Sequence, residues 1–118
     1  QIQTDRYTGN VVDMDHGRMP ALGFAIEAKS TTVLFTGDGR PGPAMVAALA
    51  EAQHWVVNTP TRQEPLDAHA SLDTYLDLID PSVPPKRVFV CHRTFDEVPS
   101  ETIRFPMDEE VYVLEPLE

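Results

Sequence analysis

Three side chains that could bind a metal ion each follow a predicted strand, at the point where that strand ends. They are His16, Asp38 and His92, which follow strands predicted over residues 11–14, 31–36 and 87–91. Imidazole and carboxylate groups are ligands that suit zinc, manganese and iron. Because α/β sheets hold their ligands beyond the carboxyl ends of strands, the pattern predicts a shared metal site. The alternative is that the carboxylate belongs to an ordinary turn and the histidines to polar loops.

Arginines are concentrated beside these candidate ligands, although the chain holds only nine Lys and Arg residues against 19 Asp and Glu residues. Arg18, Arg40 and Arg93 each lie one or two residues beyond a candidate ligand. Guanidinium groups bind phosphate or carboxylate through two parallel hydrogen bonds. The pattern therefore predicts a site for an anionic substrate, and the alternative is that these are solvated loop arginines.

Two further residues carry reactive groups. His69 begins a predicted helix, where the helix dipole disfavours the charged imidazolium. It is therefore either a neutral surface residue or, if it faces the site, a group that shuttles a proton. Cys91 is the single cysteine of the chain, and its place on a strand predicts a small, buried apolar residue.

The first elements that must position these residues form a β-meander. Its strands are predicted over residues 2–8, 11–14, 21–28 and 31–36, with a turn at Gly9-Asn10 between the first two. The last strand is rich in β-branched and aliphatic residues, which favours a buried strand. Gly37 and Gly39 then free the backbone to turn on either side of Asp38.

The rest of the chain alternates helices and strands. Pro43 suits the first position of an Ala-rich helix over residues 44–53, and a buried strand over 54–58 follows. This strand–helix–strand pattern favours a parallel pair with a right-handed crossover. Further elements are a helix capped by Ser71 and ended by Pro81, the strand over 87–91, and short strands over 102–105 and 111–114. The prediction is an α/β fold with a mixed sheet and two helices.

The composition limits the class of protein. A chain of 118 residues has room for one domain, and its apolar runs are too short to cross a bilayer. The net charge of −10 argues against a general nucleic-acid-binding surface. A single cysteine fits a reducing compartment, so we expect a cytoplasmic protein. Because the chain opens on Gln1 and its first methionine is Met14, we expect a processed product or a piece of something longer.

Three stretches stand in a recognisable order. They are residues 15–27 (Asp-His-Gly-Arg-Met-Pro-Ala-Leu-Gly-Phe-Ala-Ile-Glu), 33–38 (Val-Leu-Phe-Thr-Gly-Asp) and 88–92 (Val-Phe-Val-Cys-His). Together they resemble the second half of the metallo-β-lactamase fold, in the phosphodiesterase-like branch that includes ribonuclease Z and the cyclic-phosphate phosphodiesterases. In that branch, a histidine before P-x-L-G-[FY] and a histidine after a hydrophobic strand bind metal, and the aspartate of [FY]-[TS]-G-D bridges two metals. The resemblance assigns these positions to His16, His92 and Asp38.

The resemblance implies a metal-dependent hydrolase, most specifically a phosphodiesterase that acts on a small anionic phosphoester. It implies two divalent ions, Zn or Mn, and a hydroxide between them that attacks phosphorus. His69 stands where the branch has a histidine that opens a helix and assists as a proton donor or phosphate contact. The implied catalytic residues are therefore His69 and Asp38, and the implied substrate-binding residues are Arg18, Arg40 and Arg93.

The sequence departs from the family in two places. The signature H-x-H-x-D-H, which supplies most metal ligands, is not in this sequence, and Asn58-Thr59-Pro60-Thr61 stands where the family usually has H-E-A-T. Half of an αββα sandwich would also leave one apolar sheet face uncovered, which is a large liability for a small domain. We therefore expect residues 1–118 to be the C-terminal half of such a domain. Its N-terminal half would be cleaved off or supplied by another chain, and we expect an oligomer.

Two other functions stay open. The same fold also hydrolyses thioesters and lactones, although the arginines favour an anionic substrate. The missing signature instead favours a degenerate, non-catalytic interaction module. Metal content separates this module from the enzymes, and the dependence on arginine separates the two kinds of hydrolase.

Overall fold

The computed structural model describes residues 1–17, 19–61, 69–91, 102–106 and 114. Within these ranges the chain forms one seven-stranded sheet, with the strands side by side in sequence order, and two helices. The elements are β1 (Ile2–Gln3), β2 (Thr8–His16), β3 (Met19–Ala28), β4 (Thr31–Phe35), α1 (Pro43–Glu51), β5 (His54–Asn58), α2 (Leu72–Leu76), β6 (Arg87–Cys91) and β7 (Ile103–Arg104). The predicted strand over residues 111–114 lies outside the described residues, except for Leu114.

The first four strands form the antiparallel meander that the sequence predicts. The predicted turn at Gly9-Asn10 is wrong, because both residues lie inside β2, where they pair with Ile26 and Ala25 of β3. The turn lies earlier, where the Thr4 hydroxyl accepts hydrogen bonds from the backbone N–H groups of residues 6 and 7. The pairing of β2 with the ten-residue β3 overrides the local turn preference.

A two-residue hairpin joins β3 to β4. Ala28 pairs with Thr31, and the two residues between them, Lys29 and Ser30, both have positive φ angles, of 49° and 63°. Two left-handed residues in succession are the hairpin geometry that matches the right-handed twist of the strands. The hairpin fixes the register that carries β4 towards Asp38.

The second half of the sheet is parallel. Helix α1 connects β4 to β5, and β5, β6 and β7 continue in the same direction, so the predicted mixed sheet with two helices is confirmed. Trp55 of β5 secures this crossover, because its buried indole N–H donates a hydrogen bond of 3.1 Å to the carbonyl of Leu49 in α1. The carboxyl ends of β4, β5 and β6 consequently lie at the same edge of the sheet.

The second helix is shorter than the predicted apolar pattern. The side chain of Ser71 caps it as predicted, accepting the backbone N–H of Thr74 at 3.2 Å, and the helix ends at Leu76. The chain continues in turns to the proline-rich stretch that begins at Pro81. Of all the helices that the structure describes, none is long and apolar enough to cross a membrane.

The core lies on one face of the sheet, beneath the two helices. A row of paired residues crosses this face from β3 to β7, and the side chains on the helices complete the cluster. Its buried members include Leu34, Trp55, Val57, Val88 and Val90 from the strands and Met45, Leu49, Leu72 and Tyr75 from the helices. We call this surface the helix face.

The opposite surface, which we call the open face, is also apolar. The adjacent row of paired residues crosses it from β2 to β6: Val11, Phe24, Phe35, Val56 and Phe89. Phe24 is 47% exposed and Phe35 is 37% exposed, whereas Phe89 is buried. Phe35, Val56 and Phe89 line a groove of about 470 Å³ together with neighbouring residues that include Pro106 and Leu114. In the described part of the chain, this row therefore exposes its β2, β3 and β4 members, whereas its β6 member is buried.

Candidate active site

Two of the predicted site histidines meet at the edge of the sheet. His16 is the last residue of β2. The prediction that His69 begins the second helix is wrong, because His69 lies on the segment before α2, whose N-cap is Ser71. Their ring centroids are 5.2 Å apart, and the rings meet edge to face at an angle of 65°. Both side chains are partly buried. Two imidazoles at this distance can contribute to binding one ion or can pass a proton to a shared ligand.

The loop after β4 presents Asp38 at the same edge. The N–H of Thr36 donates to Val56, and the hydroxyl of Thr36 accepts the N–H of Asn58 at 2.9 Å, so the start of this loop is held against β5. Asp38 itself is exposed, which suits a carboxylate that reaches a ligand rather than one that packs. The base of the loop is thus held against β5, and Asp38 lies on its exposed part.

Gly39 allows this loop to approach β2 closely. Its φ angle is +113°, a conformation that residues with a side chain rarely adopt. A Cβ at this position would collide with the carbonyl of Asp15 and lie 3.1 Å from the Cβ of His16. The next residue, Arg40, exchanges two backbone hydrogen bonds with Asp15. The residue after Asp38 is therefore packed directly against the residue that carries the first imidazole.

The same loop also holds the segment that carries the second imidazole. The N–H of Ala70 donates a hydrogen bond of 3.3 Å to the carbonyl of Gly39. The loop after β4 thus contacts the chain beside His16 on one side and beside His69 on the other. Three residues that lie far apart in the sequence are brought to one place by backbone contacts of their neighbours.

The ends of β5 and β6 extend this edge. Asn58 pairs with Cys91, and the N–H of Thr59 donates to the carbonyl of Cys91 at 3.2 Å. The next residue, His92, is one of three predicted site residues that lie outside the described residues; the other two are Arg18 and Arg93. Arg40 is described and exposed, two residues beyond Asp38.

Cys91 differs from its prediction, because the residue is exposed rather than buried. Its thiol donates a weak hydrogen bond of 3.3 Å to the carbonyl of Val57. Partial burial of the sulfur raises the pKa of the thiol, and the negative charge of Asp38 acts in the same direction. Strand alternation predicts which face a residue takes but not what covers it, and Cys91 is the last residue of its strand.

The described residues supply only part of a metal site. Among them, no three His, Cys, Asp or Glu side chains form a group that could hold an ion. The imidazole of His16 and the carboxylate of Asp38 fit zinc or manganese as donor types. A complete site in this chain would need His92 as well, and two ions would need ligands from beyond this sequence.

Sequence reasoning missed the residues that hold this edge together. The side chain of Thr59 is fully buried, and its hydroxyl lies 2.8 Å from the carbonyl of Ala70 and 2.9 Å from that of Thr61. Threonine is a frequent strand and loop residue, so its type alone gives no signal. The turn glycine Gly39 was predicted for its conformational freedom, but the contact it makes with β2 was not.

No family model matches the sequence, and no curated protein matches it. Several solved structures are similar to it in fold. The human tRNase Z, short form, is 18% identical with a TM-score of 0.62, and the match covers 78% of this chain and 38% of that protein. The metallo-β-lactamase-fold protein YhfI from Bacillus subtilis is 12% identical with a TM-score of 0.67, covering 81% of this chain and 41% of that protein.

A third solved structure extends the range of chemistries. The isothiocyanate hydrolase from Delia radicum gut bacteria is 19% identical with a TM-score of 0.60, and the match covers 78% of this chain and 43% of that protein. At these identities the likeness shows the fold. This chain spans less than half the length of each of these three proteins.

Proposed function

Because the chain has the metallo-β-lactamase fold, we propose that it is the C-terminal half of a metal-dependent hydrolase domain. The main support is the contact between His16 and His69 beside the loop that holds Asp38. These side chains lie at the carboxyl edge of the sheet and are not part of the apolar core. The similar proteins include a tRNase and an isothiocyanate hydrolase. A hydrolytic reaction is therefore the common element of this proposal.

The specific reaction we propose is the hydrolysis of a small anionic phosphodiester. His16, Asp38 and His92 would hold the metal ions, Zn or Mn. When bound, such ions supply Lewis acidity towards a phosphoryl oxygen. The likeness to a tRNase supports phosphodiester chemistry. A cytoplasmic location is part of the same proposal.

The residues of this chain would perform the remaining steps. His69 would donate a proton to the leaving oxygen, a role that general-acid catalysis makes worth roughly 10²- to 10⁴-fold in rate. The guanidinium groups of Arg40, Arg18 and Arg93 would bind and orient the phosphate oxygens. In a chain with a net charge of −10, such cations are needed for an anionic substrate to approach.

The open face supports the proposal that residues 1–118 are half of a domain. Phe24 and Phe35 expose large apolar side chains on a face that the described helices do not cover. Covering apolar surface stabilises a protein by roughly 25 cal/mol per Å². We propose that the N-terminal half, which would carry H-x-H-x-D-H, packs a second sheet on this face. That half is a preceding segment or a second polypeptide, and in the latter case the active species is an oligomer.

The test begins with the protein purified from its natural source. Intact mass and metal analysis should find this chain together with an H-x-H-x-D-H polypeptide or segment and about two Zn or Mn ions per complete domain. If the chain purifies alone and without metal, this result would contradict the proposal that it is half of a metal-dependent hydrolase. It would favour the non-catalytic module, which the missing signature also favours.

Variants of the complete protein then test the residue roles. Asp38→Asn should lose metal, whereas His69→Asn should keep metal and lose activity on bis(p-nitrophenyl) phosphate by roughly 10²-fold or more. Arg40→Ala should weaken binding of this substrate, and Arg6→Ala, which removes an exposed arginine on the first turn, is the matched control. Equal activity of His69→Asn and the unmodified protein would contradict the proton-donor role.

A second candidate is a hydrolase for neutral substrates such as thioesters or lactones. The likeness to an isothiocyanate hydrolase favours it, because that substrate class carries no phosphate. Arg40→Ala distinguishes the two candidates. It should spare a neutral ester substrate and impair a phosphodiester substrate.

A further inference from the structure

The backbone beside His69 is held by one buried side chain, that of Thr59. Thr59 follows β5 at the edge of the sheet and is fully buried. Its hydroxyl lies 2.8 Å from the carbonyl of Ala70, the residue directly after His69. We propose that Thr59 is a positioning residue, which sets the imidazole of His69 against that of His16. This inference rests on the proposed function, in which His69 is the proton donor.

The contacts of Ala70 explain why the hydroxyl matters. The N–H of Ala70 donates to the carbonyl of Gly39 at 3.3 Å, and its carbonyl accepts from Thr59. The residue after His69 is therefore clamped on one side by the Asp38 loop and on the other side by the end of β5. With both backbone groups of Ala70 held, the direction in which the preceding side chain leaves the backbone is restricted. The edge-to-face contact of His69 with His16 at 5.2 Å is the result.

The other contacts of Thr59 make it a junction between segments. Its hydroxyl also lies 2.9 Å from the carbonyl of Thr61, which in turn accepts the N–H of Leu72 at the start of α2. Its own N–H donates to the carbonyl of Cys91, the residue before His92. One residue thus contacts the chain beside two of the predicted site histidines. The Thr61 carbonyl keeps the N–H of Leu72 as a donor, but removal of the hydroxyl would take from the Ala70 carbonyl a donor that is buried away from water, which is costly.

This assignment falls in the stretch where the sequence departs from the family pattern. Asn58-Thr59-Pro60-Thr61 stands where H-E-A-T is usual, so no titratable side chain occupies residues 58–61. The hydrogen bonds of the Thr59 hydroxyl go to the backbone carbonyls of Thr61 and Ala70, at 2.9 and 2.8 Å. Thr59 therefore acts through the backbone of Ala70 and is not a catalytic residue.

The experiment compares Thr59→Val, which removes the hydroxyl and keeps the shape, with Thr59→Ser, which keeps the hydroxyl. Thr31→Val is the matched control. Thr31 is also a buried threonine, but it is the first residue of β4 and lies at the end of that strand away from the candidate site. The first readout is the nuclear Overhauser effect between the ring protons of His16 and His69 in this chain. Thr59→Val should reduce it at least twofold, while Thr59→Ser and Thr31→Val should leave it unchanged. An unchanged effect in Thr59→Val would overturn the proposal.

The second readout is catalysis by the complete, metal-containing protein. Thr59→Val should lower kcat about tenfold or more while KM and metal content change less than twofold, and Thr59→Ser should restore kcat. Full activity of Thr59→Val in an active hydrolase would refute positioning and leave the proposed function standing. A loss of the ring contact in a protein that has no hydrolase activity would refute the proposed function alone.

The unmodified chain provides a test if Thr59→Val does not fold. A buried hydroxyl that donates to Ala70 should exchange slowly with water and give a resolved proton signal with a nuclear Overhauser effect to Ala70. A Thr59 hydroxyl proton that exchanges too fast to be observed would overturn the proposal, because it would not be held between the two carbonyls.

Discussion

The two faces of the sheet are built by the same strands but differ in what covers them. In β4, Leu34 points to the helix face and is fully buried, whereas its neighbour Phe35 points to the open face and is 37% exposed. In β3, Ala25 packs against the helix-face cluster, whereas Phe24 is 47% exposed. Both faces are apolar, so hydrophobicity alone does not distinguish them.

The difference is that the described helices cover one face, whereas Phe24 and Phe35 on the other face are exposed. The helix face receives α1 and α2, which bury Met45, Leu49, Leu72 and Tyr75 against it. The exposed open-face side chains, Phe24 and Phe35, contribute less to the stability of this chain by itself. They become more stabilising if another sheet or chain covers them, which is the role we propose for the N-terminal half.

The strongest test of this comparison uses the two neighbours in β4. Leu34→Ala should lower the free energy of unfolding of the isolated chain by about 2–5 kcal/mol, because it opens a cavity in a packed cluster. Phe35→Ala should lower it by clearly less, although it removes a larger side chain. Urea unfolding followed by circular dichroism measures both. Equal losses would show that the open face is covered within this chain.

A second test concerns the hydrogen bond that ties α1 to the helix face. Trp55→Phe removes the indole N–H that donates to Leu49, so the free energy of unfolding should fall by about 1–3 kcal/mol. The open face offers Phe24→Leu as a control that also replaces one aromatic residue by a smaller apolar one. Phe24→Leu should lower the free energy of unfolding of the isolated chain by less than about 0.5 kcal/mol.

Tyr75 allows a test by pH. Burial on the helix face raises the pKa of its phenol above the ordinary value of about 10, and the nearby Thr36 opposes this only in part. The folded chain therefore keeps the phenolic proton at pH values where the unfolded chain has lost it. The contribution of Tyr75 to the free energy of unfolding is therefore complete below about pH 10 and is lost as the pH rises through the pKa of the folded chain. The free energy of unfolding falls by at most about 1.4 kcal/mol per pH unit in this range.

The variant Tyr75→Phe should lose this part of the alkaline destabilisation, as measured by thermal unfolding between pH 8 and pH 11. Tyr7→Phe, which alters an exposed tyrosine, should retain the profile of the unmodified chain. If the stability of Tyr75→Phe instead falls with pH as steeply as that of the unmodified chain above about pH 10, the phenol of Tyr75 is not a source of the alkaline destabilisation. Water would then reach this phenol more readily than its burial indicates.

The smallest expected effect on stability comes from the open face. Phe24→Ser should change the free energy of unfolding of the isolated chain by less than about 0.5 kcal/mol, since the side chain is half exposed already. The same substitution should weaken binding of the proposed N-terminal half at least tenfold, measured by titration calorimetry with that half. Unimpaired binding would place the partner elsewhere than on the open face.

The sequence by itself determined most of the elements and the candidate residues of the site. β5 and β6 have the predicted bounds, the meander and the parallel crossover are confirmed, and Ser71 caps α2 as its type predicts. These features depend on residues close together in the chain, where alternation, prolines and capping residues give a local signal. His16 and Asp38 were predicted in the same way, as polar residues where apolar strands end.

Only the tertiary structure decided how these elements meet. It placed Gly9 inside β2, because pairing with β3 outweighs a local turn preference, and it exposed Cys91 at the end of its strand. It also brought His69 to His16 and gave the buried hydroxyl of Thr59 its partner. Each of these contacts joins residues distant in sequence, and their energy depends on burial and packing, which residue type and spacing do not encode.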